Sequence, residues 1–404
     1  SSSTSTSSTN SQLWHIPIGF KTSSSPTPTY DFTIFTTHQT TISIPSFQGE
    51  WIKFNPEQKS FFRVLYDQQT LAPLLSALKE NPPTLSLADR FGLHSDAFAL
   101  TKFGFQSVAN YLQVLQSFSQ ETSLTVWSDI QSSIHSIEAT FITGRSNAQV
   151  QTAFSQFIVH LFLDIFKRLG FEPVPDESHN DSMLRVIVFS TLAKYKYPPV
   201  VEKSQNWFDK GYQHIPIDLR GAVYATVLSN ATTPKAAADI LEKLLQLLKD
   251  QTLAQEERVR ITQALGQVND QHLLQKEVLP LVLDQDMVRN QDMSYLFSGV
   301  ASNAQFSKEG WIFLEKNWSK IAKVLTGNGW IKSYVVKTVV SPFNSLQQAQ
   351  EVTTFFEKHD EQISKSRTLS QAIEAIEQRA EFFQRDNMMF ENTLNSIVDG
   401  LKIL

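Results

Sequence analysis

The spacing of apolar residues changes once along this chain, near the stretch from Leu85 to Leu100. Before it, apolar and polar residues alternate between turn residues, which is typical of strands. After it, apolar residues recur every three to four positions, which is typical of helices. The stretch follows a breaker, Asn81-Pro82-Pro83, and Ser86 can cap a helix by accepting a hydrogen bond from a free N–H. We therefore predict the first helix of a large helical domain, packed on a β domain that precedes it.

The part before the change predicts a small antiparallel β domain. Short runs rich in Thr, aromatic and β-branched residues are separated by turn residues, and they are Trp14 to Ile18, Tyr30 to Phe35, Thr40 to Ile44, Trp51 to Asn55 and Ser60 to Tyr66. Such runs predict strands, so residues 12–67 are predicted to form a β-sandwich. Residues 1–11 are nearly all Ser and Thr and lack the features of a signal peptide. They predict a flexible linker or a cut end.

Residues 68–404 predict an α-superhelical domain of stacked antiparallel helices. One long amphipathic helix runs from Val150 to Leu169 and ends at Gly170, a natural C-cap. Further helices are predicted at 181–196, 217–230, 235–250, 254–267, 270–283, 287–302, 304–325, 329–340, 345–358 and 364–402. The loops are short and no strict repeat is present, which indicates an irregular array. The predicted fold class is mainly α, a small antiparallel β-sandwich followed by a HEAT/armadillo-like superhelix.

Composition argues against several classes of protein. The 404 residues include 35 basic and 40 acidic side chains, which are interspersed and give a net charge of −5. A nucleic-acid surface needs clustered Lys and Arg, so no nucleic-acid partner is expected. No apolar run approaches about 18 residues, so no membrane span is expected. The chain has no cysteine, which excludes disulfides and Cys-based zinc sites. A cytoplasmic location is compatible with this composition and is our prediction.

The sequence contains no recognisable catalytic motif. None of its nine histidines lies in H-E-x-x-H, the helical spacing that directs two imidazoles at one metal ion. A phosphate-binding loop and a G-x-S-x-G nucleophile turn are also absent from the sequence. We therefore predict no catalytic residue and no metal ligand in this chain.

Two arginines are candidates for binding a peptide substrate. Arg220 lies in Leu219-Arg220-Gly221-Ala222, and Arg289 lies in Arg289-Asn290-Gln291-Asp292. An arginine on the inner surface of a helical array can hold a peptide carboxylate through its planar fork of donors. A structural ion pair between helices is the more frequent use of such an arginine, and both interpretations stay open at this point.

Several short motifs, taken in order, resemble the C-terminal half of the zinc aminopeptidases of the puromycin-sensitive group. The β part contributes Trp14-x-Ile16-Pro17-Ile18, Trp51-Ile52-Lys53-Phe54-Asn55 and Phe62-Arg63-Val64-x-Tyr66. The helical part contributes Asp89-Arg90-Phe91-Gly92-Leu93-x-x-Asp96, Thr125-Val126-Trp127-Ser128, Leu219-Arg220-x-x-Val223-Tyr224, Arg289-x-Gln291-Asp292, Trp311-x-Phe313-x-x-x-Asn317-Trp318 and Phe355-Phe356. The resemblance covers about residues 12–400.

The resemblance begins after the part of these enzymes that carries the chemistry. The G-x-M-E-N loop and the H-E-x-x-H zinc site are absent from this sequence, so no catalytic residue carries over and zinc is expected in the missing catalytic portion. The resemblance implies a non-catalytic portion that caps the catalytic domain, encloses the peptide cavity and helps position peptides. Its expected partners are that catalytic portion and peptides, and the chain alone is predicted to be inactive. The alternative is a stand-alone α-solenoid scaffold that binds proteins on its concave face.

Overall fold

The computed structural model describes residues 14–24, 29–37, 39, 41, 49–80, 84–144, 147–250 and 252–401. The mainly α class predicted above is confirmed. Three strands form one antiparallel sheet in the order β2–β1–β3, with β1 Ile16–Thr22, β2 Thr29–Phe35 and β3 Ile52–Phe54. β1 pairs with β2 through Ile18 and Thr33, and with β3 through Phe20 and Phe54. The run Thr40 to Ile44 lies outside the described residues apart from Thr41.

Seventeen helices account for most of the described residues. They are α1 Gln68–Leu78, α2 Leu87–Lys102, α3 Val108–Gln116, α4 Leu124–Ile137, α5 Ala148–Leu169, α6 His179–Lys194, α7 Pro198–Lys210, α8 Arg220–Ser229, α9 Pro234–Lys249, α10 Gln255–Leu265, α11 Gln271–Leu273, α12 Met293–Ala301, α13 Glu309–Val324, α14 Gly329–Val339, α15 Leu346–His359, α16 Glu361–Ser364 and α17 Arg367–Gly400. The helical part therefore begins at Gln68, and the division into two domains stays a prediction.

The predicted strand from Ser60 to Tyr66 is not part of the sheet. The segment has alternate side chains exposed, and among the described residues it is side chains, not a neighbouring strand, that hydrogen-bond to its backbone. The Asn55 amide donates to the carbonyl oxygens of Ser60 and Phe62 at 2.8 and 3.2 Å. Asp96 accepts from the Val64 N–H at 3.1 Å. The alternation predicted above is therefore present without the strand pairing.

Most helix ends follow the local signals in the sequence. Ser86 accepts a hydrogen bond from the Asp89 N–H at 3.2 Å and caps α2 as predicted, and α5 ends at Gly170 with φ +64°. Helix α7 was missed, although prolines suit a first helical turn because the N–H they lack has no partner there. The helix predicted over 270–283 is broken into α11, a π-helical turn and a 3₁₀ turn that contains Pro280.

The even-numbered helices from α2 to α14 form one row, in which each packs on the next. Helix α17 then packs on α14 and α15, and also on α3, α5 and the π-helical turn Glu138–Ile142. The Asn344 amide makes a second bridge, since it donates to the carbonyl oxygens of Ala139 and Thr143, both at 2.9 Å. The two ends of the row are thus joined by α17 and by the turn before α15.

The sheet is attached to α2 through a buried charged junction. Lys21 of β1 forms an ion pair with Asp89, and both side chains are almost fully buried. Asp89 also accepts from the Glu57 N–H at 2.9 Å. Gly92 leaves room for the Gln58 side chain against α2, because a Cβ at this position would lie 1.7 Å from its nitrogen. Buried charged groups therefore connect the sheet to α2.

Candidate functional site

The inner faces of α4, α6, α8, α10 and α12 enclose the larger part of a cavity of about 550 Å³. This volume lies within the range of roughly 300–1,000 Å³ that is usual for ligand pockets. The cavity opens on the side of the row that faces away from α5, α7 and α9, since none of its lining residues belongs to those helices.

Small residues allow the helices of this wall to approach closely. Gly221, Ala222 and Ala225 line the cavity from α8. A Cβ on Gly299 of α12 would lie 1.9 Å from the Gln263 carbonyl oxygen, so α10 and α12 touch through their backbones. A larger residue at Gly299 would separate the two helices. Small residues therefore allow both the close approach of α10 to α12 and the room in front of α8.

A polar stripe on α10 and the turn after it faces the cavity. Arg260 and Gln263 line it from α10, at the three-residue spacing that places side chains on one helix face, and Gln267 lines it from the turn that follows. The Gln267 amide donates to the Gly299 carbonyl oxygen at 2.5 Å and to the Ser302 hydroxyl at 3.0 Å. No protein hydrogen bond of the Gln263 side chain is seen in the described residues, so its amide is available to a ligand.

One corner of the cavity brings several titratable side chains together. Lys194 pairs with Glu138 at 2.5 Å, and His135 borders the cavity beside this pair. Burial lowers the pKa of His135, and Lys194 lowers it further, although Glu138 opposes the shift. Burial, reinforced by Glu138, raises the pKa of Tyr195 well above its ordinary value. At neutral pH this corner thus offers a neutral imidazole, a neutral phenol and a paired ammonium.

Arg220 is used mainly inside the protein. Its guanidinium lies 3.3 Å from a Glu257 carboxylate oxygen and stacks 5.1 Å from the centre of the Tyr212 ring. Arg260 pairs with the same carboxylate at 3.0 Å, and the Tyr224 hydroxyl donates to it at 2.5 Å. The structure therefore shows the interhelical ion pair that was the alternative for this residue. A peptide contact by Arg220 stays a prediction.

Arg289 lies on the next turn of the array and is about half exposed. It pairs with Asp292 at 2.7 Å, and Asp292 also accepts from the Gln255 amide at 3.0 Å. Gln255 and Glu257 both belong to the first turn of α10. This turn therefore contacts Arg220 directly through Glu257 and the partner of Arg289 through Gln255. Neither arginine lines the cavity, whereas Arg260 does.

Gln263, Gln267, His135 and Lys194 were not selected from the sequence. The signal that was available is the stripe Arg260, Gln263 and Gln267, which is polar at helical spacing beside an apolar face. Solvent-facing stripes have the same pattern, so a single sequence does not distinguish a cavity wall from an outer surface.

The described residues contain no group of three or more His, Asp or Glu side chains that are placed to hold a metal ion. The residues present therefore do not fit the zinc of the resembled enzymes, and no step of this protein's function is derived through zinc. In the same part of the chain, no helix is long and apolar enough to cross a membrane.

The fold and the cavity together define an array of helices that has a ligand-sized cavity on one side. The chain belongs to the ERAP1-like C-terminal domain family, whose model matches residues 51–378. It is similar to Aminopeptidase M1 of Arabidopsis thaliana, with 31% identity over 87% of this chain and 39% of the relative. It is also similar to Puromycin-sensitive aminopeptidase of Caenorhabditis elegans, with 26% identity over 95% of this chain and 40% of the relative.

Alanine/arginine aminopeptidase of Saccharomyces cerevisiae shows 26% identity over 83% of this chain and 38% of the relative. The chain thus spans about two fifths of the length of these relatives. The resemblance to the C-terminal part of the puromycin-sensitive group is confirmed.

Proposed function

We propose that this chain is the non-catalytic C-terminal portion of a zinc aminopeptidase. In this proposal it caps the catalytic portion, encloses the peptide cavity and positions peptides while zinc in the catalytic portion supports removal of the N-terminal residue. The observation that carries the proposal is the cavity of about 550 Å³ on the inner wall. Its exposed amides and small side chains suit a peptide backbone, which offers donors and acceptors regardless of sequence.

The finer architecture belongs to the same proposal. We propose that the three described strands are part of a β-sandwich and that the row of helices is a HEAT-like superhelix. The consecutive packing of the even-numbered helices supports the second statement. A cytoplasmic location and peptide contacts by Arg220 and Arg289 remain parts of the proposal.

Peptide binding to the inner wall tests this function. Fluorescence anisotropy with labelled ten-residue peptides should show saturable binding by the full chain. Gln263→Trp places a large ring in the cavity at a side chain exposed to it, and it should weaken binding about tenfold or more. Gln246→Trp on α9, whose side chain is exposed away from the cavity, is the matched control and should bind as the wild type does.

Two results would count against the proposal. Zinc-dependent release of amino acids by the purified chain contradicts its non-catalytic role. Capture of folded proteins without any affinity for short peptides favours the scaffold alternative.

A further inference from the structure

A second cavity, of about 360 Å³, lies beside α5 and shares Tyr195 and Lys196 with the lining of the larger cavity. Its walls come from α5, from the turn between α6 and α7, and from the C-terminal end of α17. The apolar lining consists of Val159, Leu163, Tyr197, Pro198, Val398 and Leu401. Leu163 is buried, and Val159, Tyr197 and Val398 pack against the core. The pocket is thus built on packed elements.

The charge of this pocket has one sign. Lys196 contributes an ammonium group, His160 an imidazole and Tyr195 a phenol, and no carboxylate is among the described residues that line it. Lys196 forms no ion pair with any described residue, unlike the neighbouring Lys194. An apolar pocket with an unpaired ammonium at its edge complements a ligand that has an apolar body and one negative charge.

The backbone at Lys196 adopts a conformation that favours glycine over lysine. The Tyr197 N–H donates to the Leu192 carbonyl oxygen at 2.9 Å, and the Lys196 N–H donates to the Ala193 carbonyl oxygen at 3.0 Å. This is a Schellman ending of α6, in which the residue with positive φ is usually glycine. Lys196 occupies that position with φ +59°. This chain therefore has a lysine at a position where glycine would relieve the strain, which is a reason to look for a function of the Lys196 side chain.

We propose that this pocket binds a small carboxylate with an apolar chain, whose charge pairs with Lys196 and whose chain fills the space between α5 and the end of α17. This inference does not rest on the proposed peptide-binding function. Lys196 and Tyr195 also reach the edge of the larger cavity, so the test separates the two sites through residues that line only one of them.

Isothermal titration calorimetry of the full chain with decanoate, kept below its micellar concentration, tests the proposal. We expect saturable binding at one site. Lys196→Gly removes the charge and relieves the strained backbone, so it should weaken decanoate binding about tenfold or more without lowering the melting temperature. Asp176→Gly is the matched control, because Asp176 has the same positive φ of 59° and lies outside both pockets. It should leave binding unchanged.

Filling the pocket gives an independent arm. Val159→Trp should abolish decanoate binding and leave peptide binding at the inner wall intact, whereas Gln263→Trp should do the reverse. Gln156→Trp, at an exposed position of the same pocket, serves if the first variant fails to fold.

Four outcomes would overturn the proposal. They are the absence of decanoate binding, equal binding of decanol, retention of affinity in Lys196→Gly, and recruitment to phosphatidylglycerol vesicles without binding of free decanoate.

Discussion

Two junctions connect distant parts of this chain, a charged joint made of buried ion pairs and an aromatic joint made of packed rings. The sheet is joined to α2 by buried charges, with Lys21, Lys53, Asp89 and Asp96 all almost inaccessible. The two ends of the helical row are joined by α17 through aromatic rings. Phe390 stacks on Phe141 with ring centres 4.4 Å apart and planes at 15°. The stability of a charged joint depends on pH and falls when one charged partner is removed, whereas the stability of an aromatic joint falls when side-chain volume is removed.

The aromatic joint should be the more sensitive to truncation. Phe390 is fully buried and also lies 6.0 Å from the Phe154 ring. Phe390→Ala is expected to lower the free energy of unfolding by about 4 kcal/mol, because it removes a large side chain and leaves a cavity. Urea unfolding measures this. Met388→Ala, at an exposed position of the same helix, is the control and should change stability little.

The charged joint should be nearly as sensitive to loss of one carboxylate. Burial alone would raise the pKa of Asp89, but hydrogen bonds from Lys21, Glu57 and Ser86 hold it below its usual range. Asp89→Asn leaves the Lys21 ammonium buried without its counter-charge and should lower the free energy of unfolding by about 3 kcal/mol. If this variant unfolds at the same urea concentration as the wild type, the joint does not depend on the ion pair.

The charged joint should give the stability of the protein a dependence on pH above pH 8. Burial lowers the pKa of Lys53 to about 8, while Asp89, Asp96 and Glu57 oppose the shift and Lys21 reinforces it. In the unfolded chain this lysine titrates near 10.4, so a charged Lys53 opposes folding at pH 7. The free energy of unfolding should therefore rise between pH 8 and pH 9.5 by up to about 2 kcal/mol.

Lys53→Met gives the matching control for this pH response. The variant keeps an apolar chain of similar length, and its unfolding curve should lose the rise above pH 8. Measurements stop below pH 10 because burial raises the pKa of Tyr66. An unfolded-state tyrosine ionises first, and that effect lowers stability at higher pH.

Exposed pairs should contribute least. Lys365 and Glu361 form a pair at 2.5 Å, but about three quarters or more of each side chain is exposed. Lys365→Ala is expected to change the free energy of unfolding by less than about 0.5 kcal/mol. A larger loss would show that burial is not what distinguishes the charged joint from other ion pairs.

Features with a local signal, such as amphipathic helices and helix caps, were predicted from the sequence. Features that depend on residues distant in the chain were missed. The long helix ending at Gly170 and the Ser86 cap were predicted because their signals are local. Helix α7 was missed because its start at Pro198-Pro199 follows Tyr197, which provides no side-chain cap. The extended segment from Ser60 to Tyr66 was assigned to the sheet because alternation does not reveal whether a strand or the side chain of Asn55 satisfies its backbone.

The candidate site was harder to predict than the fold. Arg220 was selected for its donor fork, and the structure pairs that fork with Glu257 from a helix 37 positions further on. The cavity wall is made of glycines, alanines and amides, which carry no chemical motif. Their importance appears only when five helices are placed side by side.

Photocrosslinking locates a bound peptide on this protein. A ten-residue peptide with a benzophenone at its C-terminal residue is bound to the full chain and irradiated, and the crosslinked residues are identified by mass spectrometry. We predict adducts on the inner faces of α6, α8, α10 and α12, and their loss in Gln263→Trp. Adducts confined to α7, α9 and α13 would contradict this prediction.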